Sequence, residues 1–240
     1  MKKLVYILLA GGLISCSGQS TTETESSFLN ESLKAHGGLE TYQNLKTLSY
    51  LKKTILYDSY GVVESETVQT HSYSFQPSKG EITWESEGKS HKVTWEGQNA
   101  TKWVDGVEDV EGKSSAESLM NSSQFVLFQP FKLKDGGTKI SEVDNLHLFN
   151  PDVYTTLQPT YQGESTDKWW FYVDPYDFLI VANLVLHNGR YSFIHNLEFD
   201  TTTPLVLHKH RKSYFTDETI SDKLLRAEYF YTEYKAEFGQ

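Results

Sequence analysis

The sequence is poor in cysteine. Cys16 is the single cysteine among 240 residues, and it lies close to the N-terminus. A disulfide needs two thiols and a thiolate-rich metal site needs several, so one chain alone can form neither. A catalytic thiol deeper in the chain is excluded for the same reason. We therefore expect a fold that is stable without disulfides.

Positive charge is also scarce. The chain has 22 Lys and Arg residues against 32 Asp and Glu residues, which gives a formal net charge of -10 at pH 7. Such a chain repels polyanions, so we expect no nucleic-acid partner and no bulk attraction to anionic lipid headgroups. Its partners are expected to be neutral or locally basic.

Long apolar runs are missing as well. The run Leu4 to Ile14 has eleven residues, whereas a membrane-spanning helix needs about 20. Lys2 and Lys3 precede this run and small residues follow it, which is the order found in a secretory signal peptide. The sequence therefore predicts that residues 1–15 are an export signal, and no later segment offers another membrane span.

The end of this run has a recognisable processing site. Leu13-Ile14-Ser15-Cys16 resembles the bacterial lipobox, in which the cysteine thiol receives diacylglycerol and becomes the new N-terminus. The alternative is an ordinary export signal with an incidental cysteine. Residues 16–27 contain almost no apolar side chains and are predicted to form a flexible tether. We expect a lipid-anchored protein of the bacterial cell envelope, at the outer membrane and facing the periplasm.

Residues 28–240 are predicted to form one domain, because they contain no internal linker, repeat or low-complexity tract. Apolar residues between Phe28 and Leu48 recur at helical spacing, and His36-Gly37-Gly38 interrupts them, which favours two helices joined by a turn. Another helix is predicted over Ser114 to Ser123. The remaining sequence alternates as ten or eleven antiparallel strands.

The predicted strands differ in how many faces are apolar. Trp84, Trp95 and Trp103 are expected to share one face of an antiparallel meander, because each stands two residues after an Ile, Val or Thr in a predicted strand. By contrast, the strands 168–173 and 178–186 are apolar on both faces. Such strands need cover on both sides, which a helix, a closed core or an apolar ligand can provide.

Motifs for catalysis and metal binding are sparse. The mature sequence has no His-Glu-x-x-His or Gly-x-Ser-x-Gly pattern. We therefore predict no catalytic residue, no cofactor and a protein that is not an enzyme. His208 and His210 lie on one face of a predicted strand and could hold a metal, but the neighbouring basic residues favour a solvated or edge-strand face and no metal site.

The segment from Gln124 to Gly136 is the most apolar stretch after the signal. One interpretation is a buried core strand that ends at Pro130. The other is the rim or lid of an apolar pocket lined by Phe125, Phe128 and Phe131, which the position of Pro130 slightly favours.

Several short segments together resemble a known family. They are Ala35-His36-Gly37-Gly38-Leu39 with Tyr42, Trp95-Glu96-Gly97, Trp103-Val104-Asp105-Gly106, Pro130-Phe131-Lys132-Leu133-Lys134-Asp135 and Tyr172-Val173-Asp174-Pro175. This pattern is similar to uncharacterised envelope lipoproteins built like the LolA/LolB lipoprotein carriers. The resemblance implies a mainly β (α+β) fold, an incomplete antiparallel β-barrel of about eleven strands, with helices covering the open mouth. It also implies an apolar cavity, which in the carriers holds acyl chains.

These observations lead to a first functional hypothesis. We expect a membrane-anchored lipoprotein that binds a lipid, an acyl chain or another apolar ligand in a half-barrel cavity, in lipid or lipoprotein handling. The residues predicted to line the cavity are Trp84, Trp95, Trp103, Phe125, Phe128, Trp169 and Phe193. The alternatives are a structural or adaptor lipoprotein that binds an envelope protein partner, and then a hydrolase or carbohydrate binder.

The lipid site yields the first testable prediction. The substitution Cys16→Ser removes the thiol that accepts diacylglycerol, so incorporation of a labelled fatty acid into the protein should be lost. Metabolic labelling and fractionation of the cells measure this directly. Unchanged labelling of the Cys16→Ser chain would show that the segment is an ordinary export signal.

Overall fold

The computed structural model describes residues 27–97, 99–143, 154–161 and 167–239. The predicted signal peptide, the tether up to residue 26 and the lipid site at Cys16 therefore lie outside the described residues. Ser27, the last residue of the predicted tether, is the first residue of a helix. Within the described ranges, no helix has the length and apolar character needed to cross a bilayer.

Short helices precede and interrupt the strands. The helices are α1 (Ser27–Ala35), α2 (Leu39–Gln43), α3 (Lys113–Leu127) and a 3-10 helix at Phe131–Lys134. The predicted break between α1 and α2 is confirmed, because Gly37 and Gly38 have φ angles of 106° and 90°, which favour glycine. The predicted helix over residues 114–123 is also confirmed as part of α3, which is longer at its C-terminal end.

The described strands form one antiparallel sheet of thirteen members. They are β1 (Leu45–Tyr57), β2 (Val63–Phe75), β3 (Ser78–Ser86), β4 (Lys89–Glu96), β5 (Asn99–Val104), β6 (Val107–Glu108), β7 (Lys139–Val143), β8 (Thr155–Thr160), β9 (Lys168–Val173), β10 (Ile180–His187), β11 (Arg190–Asp200), β12 (Leu207–Thr216) and β13 (Lys223–Phe238). The sheet does not close, so the predicted half-barrel is confirmed with a slightly larger number of strands.

The order of the strands determines where the longest helix lies. The sheet runs β6-β5-β4-β3-β2-β1-β13-β12-β11-β10-β9-β8-β7, so the chain forms two meanders joined where β1 pairs with β13. Strands β6 and β7 are consecutive in sequence but lie at opposite edges of the sheet. The connection between them must cross a whole face of the sheet, and α3 is part of that connection.

The face that α3 crosses, here called the inner face, carries the main core. Helices α1 and α3 bury apolar side chains against it, and the strands contribute residues from both meanders. The core includes Leu29, Leu33, Met120, Leu127, Phe128 and Phe131 from the helical segments and Leu48, Tyr73, Ile82, Val93, Phe171 and Ile180 from the strands. Burial of such side chains contributes about 1.5–3 kcal/mol each, so covering this face dominates the stability.

A second, smaller core lies on the opposite face, here called the outer face. The strand register places Trp170, Leu184 and Phe193 side by side on β9, β10 and β11. Ile220, from the connection between β12 and β13, and Tyr154 complete this cluster. The prediction that these strands are covered on both faces is therefore confirmed, and part of the outer cover is the chain itself.

A buried histidine ties the first two helices to the sheet. The Nδ1–H of His36 donates to the carbonyl oxygen of Val206 at 3.1 Å, and its Nε2 accepts the N–H of Ile180 at 3.2 Å. This pattern requires the neutral ring. Burial, partly offset by the bond to Val206, lowers the pKa of His36 to about 4.

A second histidine ties α3 to the sheet. The Nε2–H of His208 donates to the carbonyl oxygen of Val126 near the end of α3, at 3.0 Å. Burial and the nearby Arg211 lower the pKa of His208 well below its ordinary value. The predicted solvated or edge-strand position of this residue is wrong, because β12 lies between β11 and β13 and His208 is buried.

The neutral state of His36 makes the stability depend on pH. Its folded-state pKa of about 4 lies below the ordinary value of 6.5, so the unfolded chain binds the proton first as the pH falls. Between these pH values the free energy of unfolding should drop by about 1.4 kcal/mol per pH unit from this residue alone. Above pH 6.5 neither the folded nor the unfolded chain binds this proton, so His36 adds no further pH dependence to the free energy of unfolding.

The substitution His36→Gln should therefore lower stability at pH 7 by about 2 kcal/mol, because buried hydrogen bonds are lost. It should also make the decline between pH 6 and pH 4.5 shallower than in the wild type. Urea unfolding at several pH values measures both effects. The control is His187→Gln at an exposed position. If the free energy of unfolding declined equally steeply with pH in wild type and His36→Gln, the assignment of a neutral His36 would be contradicted.

Candidate ligand-binding site

The three tryptophans of the N-terminal meander do not share a face. Trp95 pairs with Ala100 across β4 and β5, so the even-numbered residues of β5 lie on the same face as Trp95. Trp103 instead pairs with Lys92 and lies on the outer face. The prediction of one tryptophan face is therefore wrong, because the tight turn between β4 and β5 sets the opposite parity.

The surroundings of these tryptophans agree with the register. On the inner face, Trp84 is half-buried and stacks on His91 with the ring centroids 5.0 Å apart, while Trp95 packs at the edge of the main core. On the outer face, the indole N–H of Trp103 donates to Thr94 at 3.4 Å. Lys92 lies over the Trp103 ring, 5.7 Å from its centroid.

The apolar segment after residue 123 is helical, so the core-strand interpretation is wrong. Phe125 lies on α3 and Phe128 directly follows it. The Phe128 ring is fully buried against Tyr42 and Phe75, at centroid distances of 5.1 and 5.6 Å. Phe125 is half-buried and lies 5.1 Å from the ring of Trp169. Pro130 follows the end of α3, where proline cannot extend a helix.

Phe193 is separate from the other predicted lining residues. It belongs to the outer cluster, at 6.5 Å from Tyr172 between ring centroids, whereas Phe125 and Trp169 lie on the inner side. Of the seven predicted residues, the structure brings Phe125 and Trp169 together beside an inner cavity. It places Phe128 in the core, Trp84 and Trp95 further along the inner face, and Trp103 and Phe193 on the outer face.

The inner cavity lies between α3 and the strands of the C-terminal meander, and it has a volume of about 280 Å³. Strands β1 and β13 form one side and β9 to β12 form the other. Its lining residues are Tyr50, Lys52, Leu119, Ser122, Ser123, Val126, Trp169, Asn183, Ile194, Arg211, Ser213, Tyr229 and Tyr231. The lining therefore mixes aromatic and aliphatic side chains with hydroxyl, amide and cationic groups.

A buried hydrogen-bonded network reaches the cavity through Tyr50 and Ser123, which line it. Nδ1 of His71 lies 3.1 Å from the hydroxyl of Tyr50 and 3.0 Å from that of Tyr73. The Tyr73 hydroxyl in turn lies 2.9 Å from Oγ of Ser123 on α3. Burial, and then the nearby Lys52, lower the pKa of His71 to about 3. These contacts join β1, β2 and α3 with a neutral imidazole at the centre.

The sequence reasoning missed the polar residues of the cavity. Arg211 is buried on β12, and its Nε–H donates to Oδ1 of Asn196 at 2.6 Å. A second guanidinium N–H donates to Oδ1 of Asn183 at 3.3 Å. The sequence did contain a signal of such a polar site. Asn183 interrupts an otherwise apolar strand, and a buried amide needs a polar partner.

A larger concavity lies elsewhere, on the outer face, with a volume of about 1120 Å³. It is lined by hydroxyl side chains, such as those of Ser72 and Thr94, and by the ion pair of Lys79 with Glu96 at 2.8 Å. Open, hydrated groups of this kind are ordinary on the wet side of an antiparallel sheet. The smaller inner cavity is the better candidate because it lies between α3 and the sheet and combines apolar and aromatic side chains with a few buried polar groups. Among the described residues, no group of three potential metal-binding side chains occurs.

Two phenylalanines of the same segment should respond differently to truncation. Phe128→Ala removes a fully buried ring and should lower the free energy of unfolding by about 3–5 kcal/mol. Phe125→Ala removes a half-buried ring beside the cavity and should cost less than about 2 kcal/mol. Urea unfolding of the two variants tests this, and equal losses would show that Phe125 is also a core residue.

Comparisons with known proteins agree with the fold. No protein-family model matches the sequence, and no curated protein matches it. A LolA superfamily protein from Nitrosomonas europaea is similar in structure, with a TM-score of 0.52 and 12% identity over 85% of this chain and 91% of that one. A DUF1329 family protein from Desulfovibrio piger has a TM-score of 0.58 and 8% identity over 89% and 93% of the two chains. At such low identity, these likenesses show that the chain has a LolA-like fold.

Proposed function

We propose that this protein is a non-enzymatic binding protein that holds an acyl chain or another apolar group in the inner cavity. The observation that carries this proposal is the cavity of about 280 Å³ between α3 and the sheet. Leu119 and Val126 line it from the helix, while Trp169 and Ile194 line it from the strands. The LolA-like fold supports the same function.

The size and chemistry of the cavity suit part of a lipid chain. Its volume of about 280 Å³ is at the lower end of the range for small-molecule sites. Each methylene moved from water to an apolar site contributes about 0.8 kcal/mol, so a stretch of about ten carbons would contribute about 8 kcal/mol before the costs of binding. A ligand of this kind also gives the inner face cover that α3 alone does not complete.

The lipid anchor predicted at Cys16 completes the proposal. A tether of about eleven residues, fully stretched, lets the domain stand up to roughly 40 Å from the membrane surface. The domain then remains close to a source of lipid in the bacterial envelope, and we place the anchor in the outer membrane with the domain facing the periplasm. We propose lipid or lipoprotein handling as the process it serves.

The adaptor hypothesis receives less support from the distribution of charge. Acidic residues of the outer face pair with lysines on neighbouring strands, as in Lys53 with Glu66 at 2.7 Å and Lys209 with Glu198 at 2.8 Å. These pairs make the outer face a mixed surface rather than an acidic one. We therefore favour the cavity as the functional site.

A bulky side chain in the cavity should block binding. We expect Val126→Trp in the Cys16→Ser chain, which is not lipidated, to lose most of its affinity for a fluorescent fatty acid. The control is Asn121→Trp, which adds the same ring at an exposed position of α3. Mass spectrometry of lipids extracted from the purified proteins gives an independent readout. Equal binding by the two tryptophan variants would show that the ligand lies elsewhere.

A further inference from the structure

The inner cavity contains positive charge without negative charge. Lys52 and Arg211 are among its lining residues, and no Asp or Glu of the described ranges lines it. This composition runs against the chain as a whole, which has 32 acidic and 22 basic residues. A cavity that served only to hold a hydrocarbon chain would not need two cations.

Arg211 is the more deeply placed of the two cations, with 3% of its surface exposed. Its hydrogen-bond acceptors are the neutral amide oxygens of Asn196 and Asn183. No carboxylate of the described residues forms an ion pair with it. A guanidinium does not lose its proton in a protein. Burial of this charge without a counter-ion costs free energy that the amide dipoles offset in part.

Lys52 approaches the same region from β1. Its ammonium lies 5.3 Å from the ring centroid of Tyr229, and Tyr229 pairs with Arg211 across β12 and β13. The two cations therefore flank one aromatic ring on the inner face. The next residue along β1, Lys53, points to the outer face and pairs with Glu66 at 2.7 Å.

The neighbouring histidines add no charge to this region. His71 and His208 are both buried, and both have a lowered pKa with burial as the main cause. The positive charge of Lys52 also lowers the pKa of His71, and that of Arg211 also lowers the pKa of His208. Both rings stay neutral at pH 7, so the field in this part of the cavity is positive.

We infer that the ligand is an anionic amphiphile, whose acyl chain lies along Leu119, Val126 and Trp169 and whose carboxylate or phosphate pairs with Arg211 and Lys52. This inference rests on the proposed function and adds the chemical class of the ligand. Guanidinium groups bind planar or tetrahedral oxyanions through paired N–H donors, and such charge-assisted bonds are stronger in a site that excludes water. The anionic group provides the counter-ion that the described part of the chain does not supply at this place.

The test compares ligands that differ in charge and share a chain. The Cys16→Ser chain is titrated with dodecanoate, dodecyl phosphate and dodecanol at pH 7.5, and with inorganic phosphate. We expect both anionic ligands to bind at least about tenfold more tightly than the alcohol, as expected for a desolvated charge pair. Inorganic phosphate should bind weakly, because it has no chain to bury.

A pair of neighbouring lysines supplies matched variants. Lys52→Gln should weaken dodecanoate binding about five- to tenfold and leave dodecanol binding unchanged, because it removes one charge from the site. Lys53→Gln makes the same change on the outer face and should affect neither ligand. Arg211→Gln should have the larger effect on dodecanoate, and Arg211→Lys should restore part of it. If the Arg211 variants do not fold, the two lysine variants decide the question.

The possible failures are distinguishable. If none of the twelve-carbon ligands binds, the proposed function fails, and this inference fails with it. If dodecanol binds as tightly as dodecanoate, the cavity holds a chain without recognising charge, and this inference alone is wrong. Equal losses of dodecanoate affinity in Lys52→Gln and Lys53→Gln would indicate that bulk electrostatics, rather than a specific site, attracts the anion, and this would overturn the inference. Inorganic phosphate that binds as tightly as dodecyl phosphate would make the ligand a free anion and also overturn it.

Discussion

The inner face of the open sheet must be shielded from water, and much of the structure follows from this requirement. A sheet of thirteen strands that does not close leaves one broad apolar face without a second sheet to cover it. The chain meets the requirement with its connections. Strands β6 and β7 form the two edges, so the segment between them has to cross the face, and α3 buries its apolar side there.

The helices that cover this face are held to the sheet by a few polar contacts as well as by apolar packing. His36 joins the turn after α1 to β10 and to the residue before β12, and His208 joins the end of α3 to β12. The contact of His36 with Ile180 needs a neutral imidazole, and burial disfavours a charge on both rings. The cover is therefore most secure near neutral pH, and the cavity lies between these points of attachment, where α3 leaves part of the sheet uncovered.

Charged side chains have different partners on the two faces of the sheet. On the outer face, lysines and glutamates of adjacent strands neutralise each other at close range, as in Lys53 with Glu66. On the inner face, Arg211 is oriented by neutral amides and Lys52 by an aromatic ring. Such an arrangement keeps a positive charge among apolar side chains. In that environment it interacts most strongly with an oppositely charged ligand group. The ligand proposed for the cavity would supply the counter-ion for this charge.

The amino-acid sequence by itself determined that the domain is mainly antiparallel β, the break at Gly37 and Gly38, and the strands that need cover on both faces, because local periodicity and glycine conformations carry that information. The half-barrel was expected only from the family resemblance. Only the tertiary structure decided which side chains meet. The parity of the β4–β5 turn put Trp103 on the face opposite Trp95, and the strand order brought Arg211 of β12 next to Asn183 of β10 and opposite α3. The first placement depends on the register of a tight turn and the second on strands that are not neighbours in the sequence. A pairing shift of one residue moves every side chain of a strand to the other face.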